Sequence, residues 1–183
     1  MSIHTLCNPR PSVHAADRRA TVLNLDTFLK GQVSGAEFFE ENYFTHGMLT
    51  LVDRAFRHLG GSGAGSSVFL LSQAMGGGKT HSMIALGLLA RDPALRSKVL
   101  TGDQNPAPNL GTCRVAGFNG RSTDAAGGIW GSIAEQLGKA DQFARYVSPL
   151  LSAPGPEAWK QLLGREPLVL FLDEFPPYLE YAV

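Results

Sequence analysis

The chain has 183 residues and is 44% hydrophobic, which suits one packed domain and excludes global disorder. Its 16 basic and 16 acidic side chains cancel, so there is no general electrostatic pull towards nucleic acid or an acidic membrane. Two cysteines, Cys7 and Cys113, make no disulfide framework, and the apolar run over residues 83–90 falls far short of the ~20 residues that a membrane span needs.

Residues 1–20 are polar and irregular and are expected to form a loose arm. The first thirty residues contain no continuous apolar stretch, so no secretory leader is expected, and the chain reads as soluble and cytoplasmic. Cys7 with His4 resembles half a metal site, but no second half exists, and both cysteines read as free thiols. Arg18-Arg19 is too short a basic patch for nucleic acid; a solvated turn is the better reading. A short helix is expected over residues 21–29. Ser34 is placed to cap a helix carrying Phe38, Phe39 and Tyr43. Thr45 is placed to cap the next, with Met48, Leu49, Val52, Phe56 and Leu59 at helical spacing and Gly60 as its stop. Residues 21–60 therefore read as a helical segment.

Residues 60–67, GGSGAGSS, carry spaced glycines before a strand candidate and not after one. A dinucleotide fingerprint needs the reverse order, so this is a connector. Residues 68–71, VFLL, predict a short buried strand. A glycine loop follows, then a helix over residues 80–90 that is apolar nearly all round and belongs inside the fold. Asp92-Pro93 stops it. Residues 91–112, rich in proline, asparagine and glycine, predict a surface excursion. Residues 113–118 are a second strand candidate. Ile129, Trp130, Ile133, Ala134 and Leu137 mark a helix ending at Gly138. Pro156 opens another, with Trp159, Leu162 and Leu163 on one face and Gly164 after it; the tryptophans read as core. Residues 168–172, LVLFL, are the third strand candidate. The alternation predicts an α/β fold with a parallel sheet covered on both faces.

Gln73 to Thr80 reads QAMGGGKT. The pattern G-x-x-x-x-G-K-[ST] is complete except for its first glycine, which is Gln73. A strand handing over to a helix through such a loop turns successive N–H groups inward as an anion nest, reinforced by the helix N-terminus. Gly76, Gly77 and Gly78 leave room for phosphate oxygens to approach the backbone. Lys79 would reach the β- and γ-phosphates, and Thr80 would offer its hydroxyl to Mg²⁺. The competing reading is a glycine-rich turn that happens to precede Lys-Thr. It leaves the apolar strand before the loop and the apolar helix after it unexplained. For the neighbouring His81, a structural or solvent-facing role is preferred over catalysis.

Residues 168–174 read LVLFLDE. A hydrophobic strand ends in two carboxylates, which are costly together without a partner. A metal–nucleotide pair supplies one: Asp173 would hold Mg²⁺ through water, and Glu174 would orient and deprotonate the attacking water. Taken alone, an exposed acidic turn explains the pair equally well. The second carboxylate favours hydrolysis over transfer to a small acceptor, so a small-molecule kinase is disfavoured. Asn119 ends the second strand candidate in VAGFNG. Ligands of open parallel sheets lie beyond the strands' carboxyl ends, so its amide could hydrogen-bond Glu174 and act as a switch. A simple turn-forming asparagine is the stronger alternative.

QAMGGGKTHSMIALGLLA, VAGFNG and LVLFLDEFPPYLE together resemble P-loop ATPases with a catalytic glutamate. More narrowly, they look like the large bacterial ATPases encoded near DNA-modification and anti-phage defence genes. The similarity runs from about Ala36 to Tyr181 and takes in FFEENYFTHGM. The resemblance implies a three-layer, mostly parallel P-loop NTPase sheet over residues 61–183. It also implies ATP and Mg²⁺ bound through Gly76, Gly77, Gly78, Lys79, Thr80 and Asp173, with Glu174 as the catalytic carboxylate. Protein partners or self-assembly are implied for a full-length parent, and phage defence or DNA modification as a setting.

Such ATPases continue past the acidic strand with a further strand and often an arginine supplied to a neighbour's site. That further strand lies between the acidic strand and the P-loop strand. Without it a gap near ~10 Å is expected: either the two strands close up, or the sheet stays frayed at an incomplete C-terminal side. On this reading the chain is an N-terminal fragment. Two function classes follow: the ATP-hydrolysing module of a larger enzyme, or a non-enzymatic interaction fragment with weak nucleotide binding.

Overall fold

The computed structural model describes residues 23–62, 66–72, 76–121, 127–147 and 152–181. The expected arm over residues 1–20, with His4, Cys7 and Arg18-Arg19, lies outside them, as does Gln73.

The N-terminal helices begin where side chains can satisfy the free amides of a first turn. Helix α1 (Leu25–Leu29) starts at Asn24, which forms a reciprocal capping box with Thr27. Helix α2 (Gly35–Glu41) starts at Ser34, and α3 (His46–Leu59) at Thr45; each accepts from the amide three residues on. Helix α4 (Lys79–Arg91) has no side-chain cap; Gly78 precedes it in the left-handed region at φ 79°. Residues 83–90 are all buried, as an all-round apolar helix requires. The surface excursion expected after it is instead partly helical. Asp92 Oδ1 accepts from Ala94 N and Leu95 N, both at 2.9 Å, and Pro93 opens α5 (Pro93–Val99).

Strand β1 (Arg114–Asn119) pairs in parallel with β2 (Leu168–Asp173), in register from Arg114 opposite Leu168 to Asn119 opposite Asp173. Between them run α6 (Gly128–Gln136), α7 (Ala140–Phe143) and α8 (Pro156–Leu163). Helix α9 (Phe175–Tyr181) follows β2. Strand alternation divides the core in two. Val115, Val169 and Phe171 join the cluster built by α1 to α4, around Phe28, Phe56, Ile84 and Leu89. Ala116 and Leu170 join Ile133, Phe143, Ala158 and Leu162 on the other side. The result is a mixed α/β arrangement with helices on both faces of a small parallel sheet. Each fully buried aliphatic or phenyl side chain contributes on the order of 1.5–3 kcal/mol.

The expected strand over residues 68–71 does not form. Val68 is 76% and Leu70 87% exposed, and no strand lies beside them among the described residues. An apolar run becomes a strand only where a neighbour takes up its N–H and C=O groups. Among the described residues the sheet has two strands and not three.

The outer edge of β1 is closed by side chains. Gly117 N donates to Gln136 Oε1 at 3.0 Å, and Gln136 Nε2 donates to Gly117 O at 2.8 Å. Nearby, the Arg91 guanidinium donates to Phe28 O and Val115 O. Among the described residues no helix is long and apolar enough to cross a membrane.

Candidate functional site

The N-terminus of α4 and the C-terminal end of β2 meet. The glycine bend reaches α4 through two left-handed residues, Gly76 and Gly78, each at φ 79°. A Cβ added at either would meet open space. The constraint at these two glycines is therefore backbone conformation. Lys79 and Thr80 occupy the first turn of α4, where backbone N–H groups and the helix dipole favour an anion.

Asp173, the last residue of β2, comes to this turn from 93 residues away. Thr80 Oγ1 donates to Asp173 Oδ2 at 2.8 Å. The other carboxylate oxygen accepts from Glu174 N at 3.1 Å. These contacts fix the orientation of Asp173 and put hydroxyl and carboxylate oxygens side by side, the hard donors that Mg²⁺ takes. Among the described residues no three of His, Cys, Asp and Glu converge on one point. A cation here would draw on Thr80, Asp173, water and ligand oxygens.

Glu174 follows in an unusual conformation. Its φ is 48°, the one positive value among the described non-glycine residues. Its carboxylate lies 3.4 Å from Arg121, while Asn119 takes the turn-forming contact, the stronger of its two readings. Asn119 Nδ2 donates instead to Asp26 Oδ2 of α1 at 2.9 Å, and Asn119 Oδ1 accepts from Arg121 N at 3.1 Å. Gly120 N donates to Asp173 O at 2.8 Å, and a Cβ on Gly120 would run into the Glu174 carbonyl oxygen. His81 sits with its ring 5.8 Å from that of Phe38, the structural placement preferred for it.

Residues 30–108 match the family model of the DUF499 N-terminal domain. That domain occurs in large bacterial proteins. The DUF499 match takes in α2 to α5 and the segment Gly76–Thr80, and ends before β1. Asn119, Asp173 and Glu174 lie beyond it. No curated protein and no solved structure matches the chain.

The structure thus brings Gly76, Gly77, Gly78, Lys79, Thr80, Asp173 and Glu174 to one end of the sheet, with Asn119 beside them. Sequence reasoning missed Asp26 and Arg121. Arg121 follows the strand-ending Asn119-Gly120, but nothing in its spacing names Glu174 as its partner. Asp26 carries no signal at all, because a carboxylate in the first turn of a short helix is ordinary capping chemistry.

Proposed function

We propose that the chain is the Mg²⁺-dependent ATP-binding and hydrolysis module of a larger ATPase. The observation that carries this is the 2.8 Å contact between Thr80 Oγ1 and Asp173 Oδ2, at the open, left-handed glycine bend before α4. In this reading the amides of Gly76, Gly77 and Gly78 cradle the phosphates and Lys79 neutralises them. Thr80 and Asp173 hold Mg²⁺, directly and through water. The metal, when bound, screens phosphate charge and orients the β- and γ-oxygens. Glu174 takes the proton of the attacking water as its oxygen bonds to the γ-phosphorus and the bond to the ADP oxygen breaks. A cytoplasmic setting in phage defence or DNA modification accompanies the proposal through the resemblance to bacterial defence ATPases.

The test is thermal melting with and without Mg-ATP. Ligand at 100 times its dissociation constant adds about 2.7 kcal/mol of stability. The shift is expected in the wild type and lost in Lys79→Ala. Glu174→Gln is expected to abolish turnover while sparing the shift; retained turnover removes Glu174 from its role. A second reading, a non-enzymatic interaction module, draws on the exposed apolar Val68 and Leu70. A folded protein with no Mg-ATP shift favours it.

A further inference from the structure

A cleft that shares no lining residue with the glycine bend or with β2 lies where the end of α2 and the start of α3 meet the end of α5. It encloses about 560 Å³, a size common among binding sites. Its walls are aromatic. Phe38 is buried and packs edge-on against Phe39 at 5.1 Å, and Phe39 stacks on Phe44 at 5.6 Å and 27°. Tyr43 lines the same cleft and is 85% exposed. The polar lining is rich in acceptors. Glu40 brings a carboxylate and Gln104 a carboxamide. Asn42 spends an Nδ2 hydrogen on Phe38 O at 2.8 Å, which leaves Oδ1 to accept. The surroundings are acidic although the chain as a whole is neutral. Residues 35–45, GAEFFEENYFT, hold three glutamates and neither lysine nor arginine, and Asp103 precedes Gln104. Lys98, beside the lining Val99, is the base set against them.

We propose that this cleft receives an arginine side chain from a basic segment of a partner protein. Aromatic faces attract a cation through their quadrupole, and a neighbouring carboxylate adds to the attraction. An apolar guest would strip water from Glu40 and Asn42 Oδ1 without replacing it, and an anion would be repelled. Guanidinium fits better than ammonium. It is planar, stacks on rings, is more weakly hydrated, and carries five N–H donors for the acceptor oxygens. Its aliphatic stem covers ring surface at Tyr43. The volume exceeds one side chain, so residues flanking the arginine enter too, and the guest is a peptide segment. This inference does not depend on the nucleotide reading.

The experiment titrates the full chain at low salt with an end-blocked tetra-arginine peptide and with its lysine and citrulline counterparts. It follows the ring NMR signals of Phe39, Tyr43 and Phe44. Saturable shifts at these rings are expected with the arginine peptide. The lysine peptide binds more weakly. The citrulline peptide, which keeps the shape and loses the charge, binds about ten-fold more weakly or worse. Tyr43→Ala is expected to weaken arginine-peptide binding by about two- to five-fold, the range of an exposed cation–π contact. Tyr43→Phe, which keeps the ring, restores it. Because Tyr43 is exposed, the urea midpoint stays unchanged in both variants. Glu40→Gln weakens binding and flattens its salt dependence. Three results each overturn the proposal: rings unmoved by the arginine peptide, equal binding of the citrulline peptide, and unchanged affinity in Tyr43→Ala. Displacement of the peptide by Mg-ATP also overturns it, because the cleft then belongs to a nucleotide.

Discussion

Gly87, in the middle of α4, shows how tightly single positions are set. A Cβ there would run into the Phe28 ring and come 3.0 Å from Phe171 Cε2, and both rings are buried. Alanine is the better helix former by about 1 kcal/mol, but overpacking costs about 1–3 kcal/mol. Gly87→Ala is expected to be destabilising on balance, seen as a lower urea midpoint with unchanged slope. Arg96 is a different kind of fixed residue. It is 1% exposed, its guanidinium donates to the carbonyls of Leu89, Leu110 and Gly111, and it stacks over Phe56. Burial pushes it down from its ordinary value. The charge is solvated by peptide carbonyls, and it ties the loop before β1 to α4.

Among elements, the helices were the most legible. Ser34, Thr45 and Gly60 stand at the expected ends, because a cap is a local transaction between a side chain and amides two or three residues away. Pro156 and Gly164 bracket α8 for the same reason. Helix α5 was missed although Asp92-Pro93 is a strong start signal: read as a stop for α4, it also opened a new helix. Strands were less legible. LVLFL and RVAGFN found each other, whereas VFLL, equally apolar, pairs with no strand among the described residues. The edge of β1 depends on one carboxamide. Gln136→Ala leaves Gly117 N–H and C=O without that partner, and a loss of about 1–3 kcal/mol is expected from chemical denaturation. Gln136→Glu, which keeps an acceptor but no donor, is expected to fall between.

At the scale of the molecule, one buried thiol reports on the whole core. Cys113 is buried beside Arg96 at the entry to β1. Burial pushes its thiol up from the ordinary value, and Arg96 offsets part of the rise. The folded value lies above the unfolded one, so the folded state holds the proton longer. The associated stability is complete below the unfolded thiol value and is lost as pH rises through the folded one. Urea denaturation is expected to show stability falling above about pH 8.5, with a shallower fall in Cys113→Ala. Thiol reagents at neutral pH are expected to label Cys113 only on unfolding.

The sequence by itself determined where α2, α3 and α8 start and stop, which segments are apolar enough to be strand candidates, and that a glycine bend and an acidic strand end form the candidate site. These are short-range matters: periodicity, capping and side-chain size act within a few residues. Only the tertiary structure decided that Asp173 meets Thr80, that Glu174 faces Arg121, and that residues 68–71 stay out of the sheet. Those outcomes depend on which groups far apart in the chain are within hydrogen-bonding reach. A strand or an ion pair exists only when its partner arrives, and no local pattern encodes that arrival.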